Sequence, residues 1–211
     1  MRILGTGEKS GRRWMLMELL DTALGATCRQ DGVSLIHGTL GVGQFRPGPI
    51  EIHETEFPVR ITRFDMRTDS GGPGKFRGGL SCIRDYLILE EAMMPASGKG
   101  DRRSKVPPWG VFGGRSARVG TLSINGVEIP EEVREARLNP GDLVRVEMNA
   151  GGGYGDPLER DPELVLGDVL DGYVSLQSAR DDYGVVIDSQ SLLIDEKATE
   201  NLRAQRRGQA V

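Results

Sequence analysis

The chain is 211 residues long, enough for one domain, or a domain with an appendage, to bury a core without disulfide or metal staples. Its net charge of -4 gives none of the basic footprint of a nucleic-acid binder, so DNA and RNA are excluded as expected partners. No apolar run approaches the roughly 20 residues that span a bilayer, and Met1 to Met17 carries Glu8, Arg12 and Arg13 where a signal peptide would be apolar, so no membrane association and a cytoplasmic location are expected.

Cys28 and Cys82 lie far apart with no CxxC or Cys/His spacing, which leaves neither a disulfide framework nor a zinc finger to build. Glycine is unusually frequent, 30 residues, clustered and without a Gly-X-Y period; the chain must turn sharply and often.

Residues 1–24 contain the apolar run Trp14 to Met17, Leu19 and Leu20, which reads as a helix that could form an interface. Short β-branched runs follow at Val33 to Ile36, Ile50 to Ile52 and Val59 to Met66, separated by Gly38, Gly41, Gly43, Pro47 and Pro49, and they read as strands joined by tight loops. In the last of these the apolar alternation changes phase around Thr62 and Arg63, the mark of a bulged, half-buried strand. Cys82 to Leu89 reads as a further strand and residues 95–106 as a polar loop.

Thr121 to Ile129 alternates around Asn125-Gly126, the turn pair that tolerates two positive φ angles, and predicts a hairpin. Asn139 to Asp142 is a second turn leading into a strand from Leu143 to Met148. Beyond Pro157 the pattern becomes helical. Asp161-Pro162-Glu163 opens one helix that runs up to Gly172, and Ser175 caps another through Arg180. A final strand is expected at Val185 to Ile187 and a charged helix or tail from Asp195. The expected class is α+β, a mainly antiparallel β body with a small C-terminal helical appendage. Its parts are an N-terminal segment (1–24), a glycine-turn body (25–157), a helix-helix-strand appendage (158–190) and a charged end (191–211).

Residues 69–79 place five glycines in eleven positions between two strands, beside Lys75 and Arg77. Such spacing serves either an anion-binding nest of successive N–H groups or a wide structural turn capped by Asp69 and Ser70. Gly-Lys-Ser/Thr and a following helix are lacking, so it is no P-loop.

This segment resembles a signature of the hydantoinase B/oxoprolinase family, and four other stretches agree with it. They are Gly25-Ala26 with Asp31-Gly32, Pro49 to Pro58, Asp101-Arg102-Arg103 with Pro107 to Gly114, and the block from Gly141-Asp142 through Gly151-Gly152-Gly153 to Val186. The resemblance covers about residues 25–187, the C-terminal portion of much longer family members. Met148-Asn149-Ala150 departs from the fourth glycine that usually precedes the 151–153 run.

The resemblance implies ATP-dependent opening of a cyclic amide (a hydantoin, a lactam or 5-oxoproline), or carboxylation of a ketone, by a hetero-oligomer with a hydantoinase A-type ATP-binding subunit. It places the family's Asp/His metal ligands in the N-terminal half that this chain lacks. ATP and a divalent metal are therefore expected on partner subunits or on that half, with no cofactor and no metal held here. The chain is expected to be a split subunit, a separately encoded half or a truncated product. Phosphorylating an amide or enol oxygen creates anionic intermediates that N–H groups and cations stabilise. Arg77, Gly71, Gly72, Arg102, Arg103, Gly151, Gly152 and Gly153 are the candidates for such contacts. A scaffold module without an active-site residue fits the same sequence, as does a nonfunctional fragment whose core is incomplete.

Four residues carry open readings. His53 with Glu51 on one strand face would make a weak metal site or plain surface charge. Trp109, between prolines and glycines, is either a core plug under a loop or an exposed interface residue. Arg160 and Arg180 have Asp161, Asp168 and Asp182 within reach as structural ion-pair partners.

Overall fold

The computed structural model describes residues 1–8, 11–36, 48–95, 106–130, 133 and 135–208. All ladders between its strands among these residues are antiparallel. A four-stranded sheet runs in the order β10 (Glu135–Leu138), β7 (Ala92–Pro95), β1 (Arg2–Thr6), β2 (Arg13–Met17). A five-stranded sheet runs β5 (Val59–Met66), β6 (Cys82–Ile88), β11 (Leu143–Glu147), β8 (Thr121–Ile124), β9 (Val127–Glu128). β3 (Thr22–Ala23) and β4 (Ser34–Ile36) make a small third pair. Helices α1 (Ile50–Glu56), α2 (Pro162–Leu170), α3 (Leu176–Asp181) and α4 (Glu196–Gly208) complete the α+β architecture.

The two larger sheets bury a common core, with Ile3, Leu16, Met94 and Leu138 from the first and Val59, Tyr86, Ile88, Val144 and Val146 from the second. A separate cluster of Val165, Val174, Ala179, Tyr183 and Val185 forms the centre of the helical appendage.

The hairpin at Asn125-Gly126 forms as its chemistry demands, with φ of 52° and 80° at the two central residues. The predicted bulge is the register shift between Ile61 and Arg63 against β6. Asp161 and Ser175 cap α2 and α3 by accepting from the N–H groups of Glu163 and Ser178.

Residues 1–24 are not helical but form β1 and β2. The run from Trp14 has period two: Leu16 is buried while Met15 and Met17 on either side are exposed, and Gly5 opposite Trp14 leaves room for the indole ring. Ile50 to Ile52 is not a strand either. It opens α1, which Pro49 starts and which is too short for a helical period to show in the sequence. Val185 to Ile187 forms no strand, only a single bridge from Ile187 to Ile194. The N–H of Val185 is taken by the carbonyl of Ala179 and that of Val186 by the hydroxyl of Thr199 on α4. The expected turns at Gly38, Gly41, Gly43 and Pro47 lie outside the described residues. No helix among the described residues is long and apolar enough to cross a membrane.

Candidate functional site

The glycine clusters meet in space. Residues 24–26, 70–79, 109–115 and 150–155 run beside one another and bond through backbone alone. Gly79 N–H donates to Leu24 O (3.0 Å), Gly151 N–H to Gly79 O (3.0 Å), Gly72 N–H to Gly151 O (2.8 Å) and Gly153 N–H to Arg115 O (3.0 Å).

At the closest of these contacts no side chain fits. A Cβ on Gly78 would lie 1.8 Å from the Gly151 carbonyl oxygen, one on Gly152 2.0 Å from that of Trp109, and one on Gly72 2.4 Å from that of Arg115. Gly71, Gly72 and Gly151 to Gly153 are all buried. The glycines let the backbones approach closely, and the N–H groups of Gly72, Gly151 and Gly153 donate to carbonyls within the cluster. Ser70 closes the base of the 70–81 loop by accepting from Ser81 N–H, and Asp69 accepts from Ser175 N–H at the start of α3.

Charge fastens this glycine core to the appendage. Arg160, 2% exposed at its side chain, grips Asp31 with two parallel bonds of 2.7 Å and also holds Asp168 at 2.8 Å. The same Asp168 receives Arg77 at 3.2 Å. Arg77 further donates to the carbonyl of Gly78 and lies over the Tyr173 ring. Its guanidinium is thus engaged within the fold, and the Arg160–Asp168 pair is the structural ion pair the sequence allowed.

Burial would raise the Asp31 pKa, but the Arg160 fork and the Arg77 N–H outweigh it and hold the carboxyl below its usual range. Burial likewise would lower the Arg160 pKa, and the two aspartates reverse the sign. Tyr183, buried beside them, is pushed up chiefly by desolvation.

A second buried polar group lies between the sheets. Glu18, on the chain leaving β2, receives Arg84 at 2.5 Å and the Tyr86 hydroxyl, and His53 Nδ1 stands 3.4 Å away. Arg84 is fully buried and stacks on Phe64 at 4.6 Å. Burial, and then the Glu18 charge, raise the Tyr86 pKa well above its ordinary value. His53 therefore leans from α1 toward Glu18, on neither a strand face nor a pair with Glu51. Among the described residues no group of three or more His, Cys, Asp or Glu is arranged to hold a metal. One signal for this cluster was present in the sequence: a lone carboxylate within the apolar stretch from Trp14 to Leu20 needs a partner if it is buried.

Trp109 is not a core plug. It is 73% exposed, and Phe112 beside it is 80% exposed, on a loop held against residues 153–155. Arg102 and Arg103 lie outside the described residues. Elsewhere, a groove of about 840 Å³ opens beside the four-stranded sheet, lined in part by Leu4, Trp14, Met15, Met93 and Arg137.

Residues 1–157 match the family model described as hydantoinase B/oxoprolinase. That match starts earlier and ends sooner than the motifs alone suggest. The chain is 34% identical to the B chain of a putative D-/L-hydantoinase of Pseudomonas sp. (strain NS671), over 94% of its own length and 33% of that protein. A crystal structure of ATP-dependent caprolactamase from Pseudomonas jessenii superposes with a TM-score of 0.80 at 32% identity, covering 96% of this chain and 36% of the other. A nucleotide-free structure of acetone carboxylase shares the fold, with a TM-score of 0.82 at 24% identity, over 99% of this chain and 32% of that one. The chain spans about a third of the length of the hydantoinase and caprolactamase relatives it matches, and a smaller share of others.

Proposed function

The chain belongs to the hydantoinase B/oxoprolinase family, and we propose that it is one part of an ATP-dependent complex that hydrolyses a cyclic amide, a hydantoin, 5-oxoproline or a lactam. In this reading it is the C-terminal part or a split subunit, working with the remainder of a hydantoinase B-type chain and a hydantoinase A-type ATP-binding subunit. ATP and a divalent metal belong to those other parts.

The observation that carries the reading is the caprolactamase likeness: one fold at 32% identity across nearly all of this chain, set within a chain about three times longer. Amide hydrolysis is preferred to ketone carboxylation because the identity to the caprolactamase structure exceeds that to the acetone carboxylase structure, 32% against 24%.

The role of this part follows from its chemistry. Its glycine core uses the N–H groups of Gly72, Gly79, Gly151 and Gly153 for internal bonds, Arg77 and Arg160 are both bound to the buried Asp168, and Arg160 also grips Asp31. It thus acts as a rigid support that aims loops at chemistry performed by other parts. Arg102 and Arg103, in the segment that leads to the Trp109 loop, are the cations assigned to anionic intermediates.

The test is reconstitution. The chain, a hydantoinase A-type subunit and the remainder of a hydantoinase B-type chain are combined with ATP and hydantoin, 5-oxoproline or caprolactam in turn. ADP release coupled to ring opening, absent when this chain is omitted, is the expected result. Turnover by the purified chain alone, or coupling only with a ketone and bicarbonate, would overturn it.

A further inference from the structure

The loop carrying Trp109 and Phe112 combines backbone strain, fixed geometry and exposed aromatic surface. Phe112 sits at φ 52°, a left-handed conformation that bulky side chains avoid. Strain of this kind persists where the surroundings over-determine it, and it gathers at sites of function.

Here the surroundings are backbone. Val111 N–H donates to Gly153 O and Gly155 N–H to Val111 O, both at 3.0 Å, while Ala117 N–H donates to Pro108 O at 2.8 Å. A Cβ on Gly114 would meet the Gly153 carbonyl oxygen at 2.3 Å, so the loop packs directly on the glycine core with no room for a side chain between them. The aromatic rings gain little from this arrangement. Phe112, 80% exposed, touches the Tyr154 ring at 5.1 Å, and Tyr154 in turn approaches Phe76 at 6.5 Å. The fold therefore holds a strained loop rigid and turns two large rings toward solvent, the form of a preorganised anchor.

We propose that the Trp109–Phe112 loop is a docking anchor for the remaining two thirds of a hydantoinase B-type chain. The inference deepens the reading above and rests on it. The occupant follows from length: this fold makes up 36% of the caprolactamase chain and 33% of the hydantoinase chain, so in such proteins it has a large neighbouring body that can cover exposed faces. Trp and Phe rings on a rigid loop suit an apolar recess on that body, with the indole N–H finding an acceptor there.

The experiment co-expresses the tagged chain with the part of the superposed Pseudomonas jessenii caprolactamase chain that this chain does not match. Complex recovery is measured together with peptide-resolved hydroxyl-radical footprinting. Wild type is expected to recover the partner, with Trp109 and Phe112 oxidised several-fold more slowly than in the free chain. Trp109→Ala and Phe112→Gly are expected to weaken recovery roughly tenfold or more. Phe112→Gly suits the left-handed backbone and should leave the free chain as stable as wild type, which separates lost docking from lost folding. Recovery by both variants equal to wild type, or unprotected rings in the complex, overturns the anchor and leaves the reading of the chain as part of a larger complex intact. No recovery by wild type overturns both. Self-association of the free chain that protects Trp109 and disappears in Phe112→Gly would make a second copy the occupant, and overturn the proposal.

Discussion

Gly78 and Gly151 are in such close contact that a single methyl group on the first would lie 1.8 Å from the carbonyl oxygen of the second. Two strands of a normal sheet keep room for side chains; these segments do not. Gly78→Ala must force the 70–79 and 150–155 segments apart, breaking the bond between Gly72 N–H and Gly151 O that ties them. A loss of about 4 kcal/mol or more, or failure to fold, is expected. Urea denaturation and soluble yield measure it, and a variant within about 1 kcal/mol of wild type would rule out a close-packed glycine core.

Gly167 is the counterpart. It lies inside α2, and a Cβ there would meet nothing within 4 Å. Gly167→Ala removes backbone freedom from the unfolded chain at no steric cost, so the appendage should gain about 0.5–1 kcal/mol. A higher thermal midpoint is the readout; a lower one would mean that α2 meets a neighbour at that position.

The contrast marks what the sequence could disclose. Features set by a residue and its near neighbours were legible: the Asn125-Gly126 turn, the bulge after Ile61, and the caps at Asp161 and Ser175. β7 and β10 were not, because Ala92–Pro95 and Glu135–Leu138 are strands through pairing with each other across some forty residues of chain. α1 escaped because seven residues show no period, and β2 because Trp14 to Met17 is apolar on both faces. For the site, the glycine positions were visible, but their mutual contact and the Asp31–Arg160 fork join segments distant in sequence, and no local pattern encodes them.

The two cysteines should differ in reactivity. Burial, reinforced by the nearby Asp21 charge, pushes the Cys82 thiol up to about 12, and the side chain is fully enclosed, whereas Cys28 is exposed. Only thiolate attacks an aromatic disulfide reagent. At pH 8 the native protein should release one equivalent of chromophore quickly and the second only in denaturant. Two fast equivalents in the folded state would place Cys82 outside the core.

Arg160 tests how the appendage is fastened. Its removal in Arg160→Met leaves Asp31 without its fork and the buried Asp168 with Arg77 alone, and should cost about 3 kcal/mol, because one carboxylate loses its cation and the other keeps only one of two. Arg160→Lys keeps the charge but cannot make the parallel bonds to both Asp31 oxygens, so it should fall between. Asp31 is a third exposed, and water offsets part of the loss in Asp31→Asn, which should cost about 2 kcal/mol near neutral pH. The pH dependence has a definite sign. Asp31 has a folded pKa below its unfolded value of 3.8, so the unfolded chain binds its proton first as acid is added. The gap between wild type and Asp31→Asn should thus be complete above about pH 4 and close as pH falls through the lower, folded value. Denaturation midpoints of both proteins from pH 7 down to pH 2 decide it. A gap that is unchanged at the acid end would mean that the Asp31 charge contributes nothing to the join.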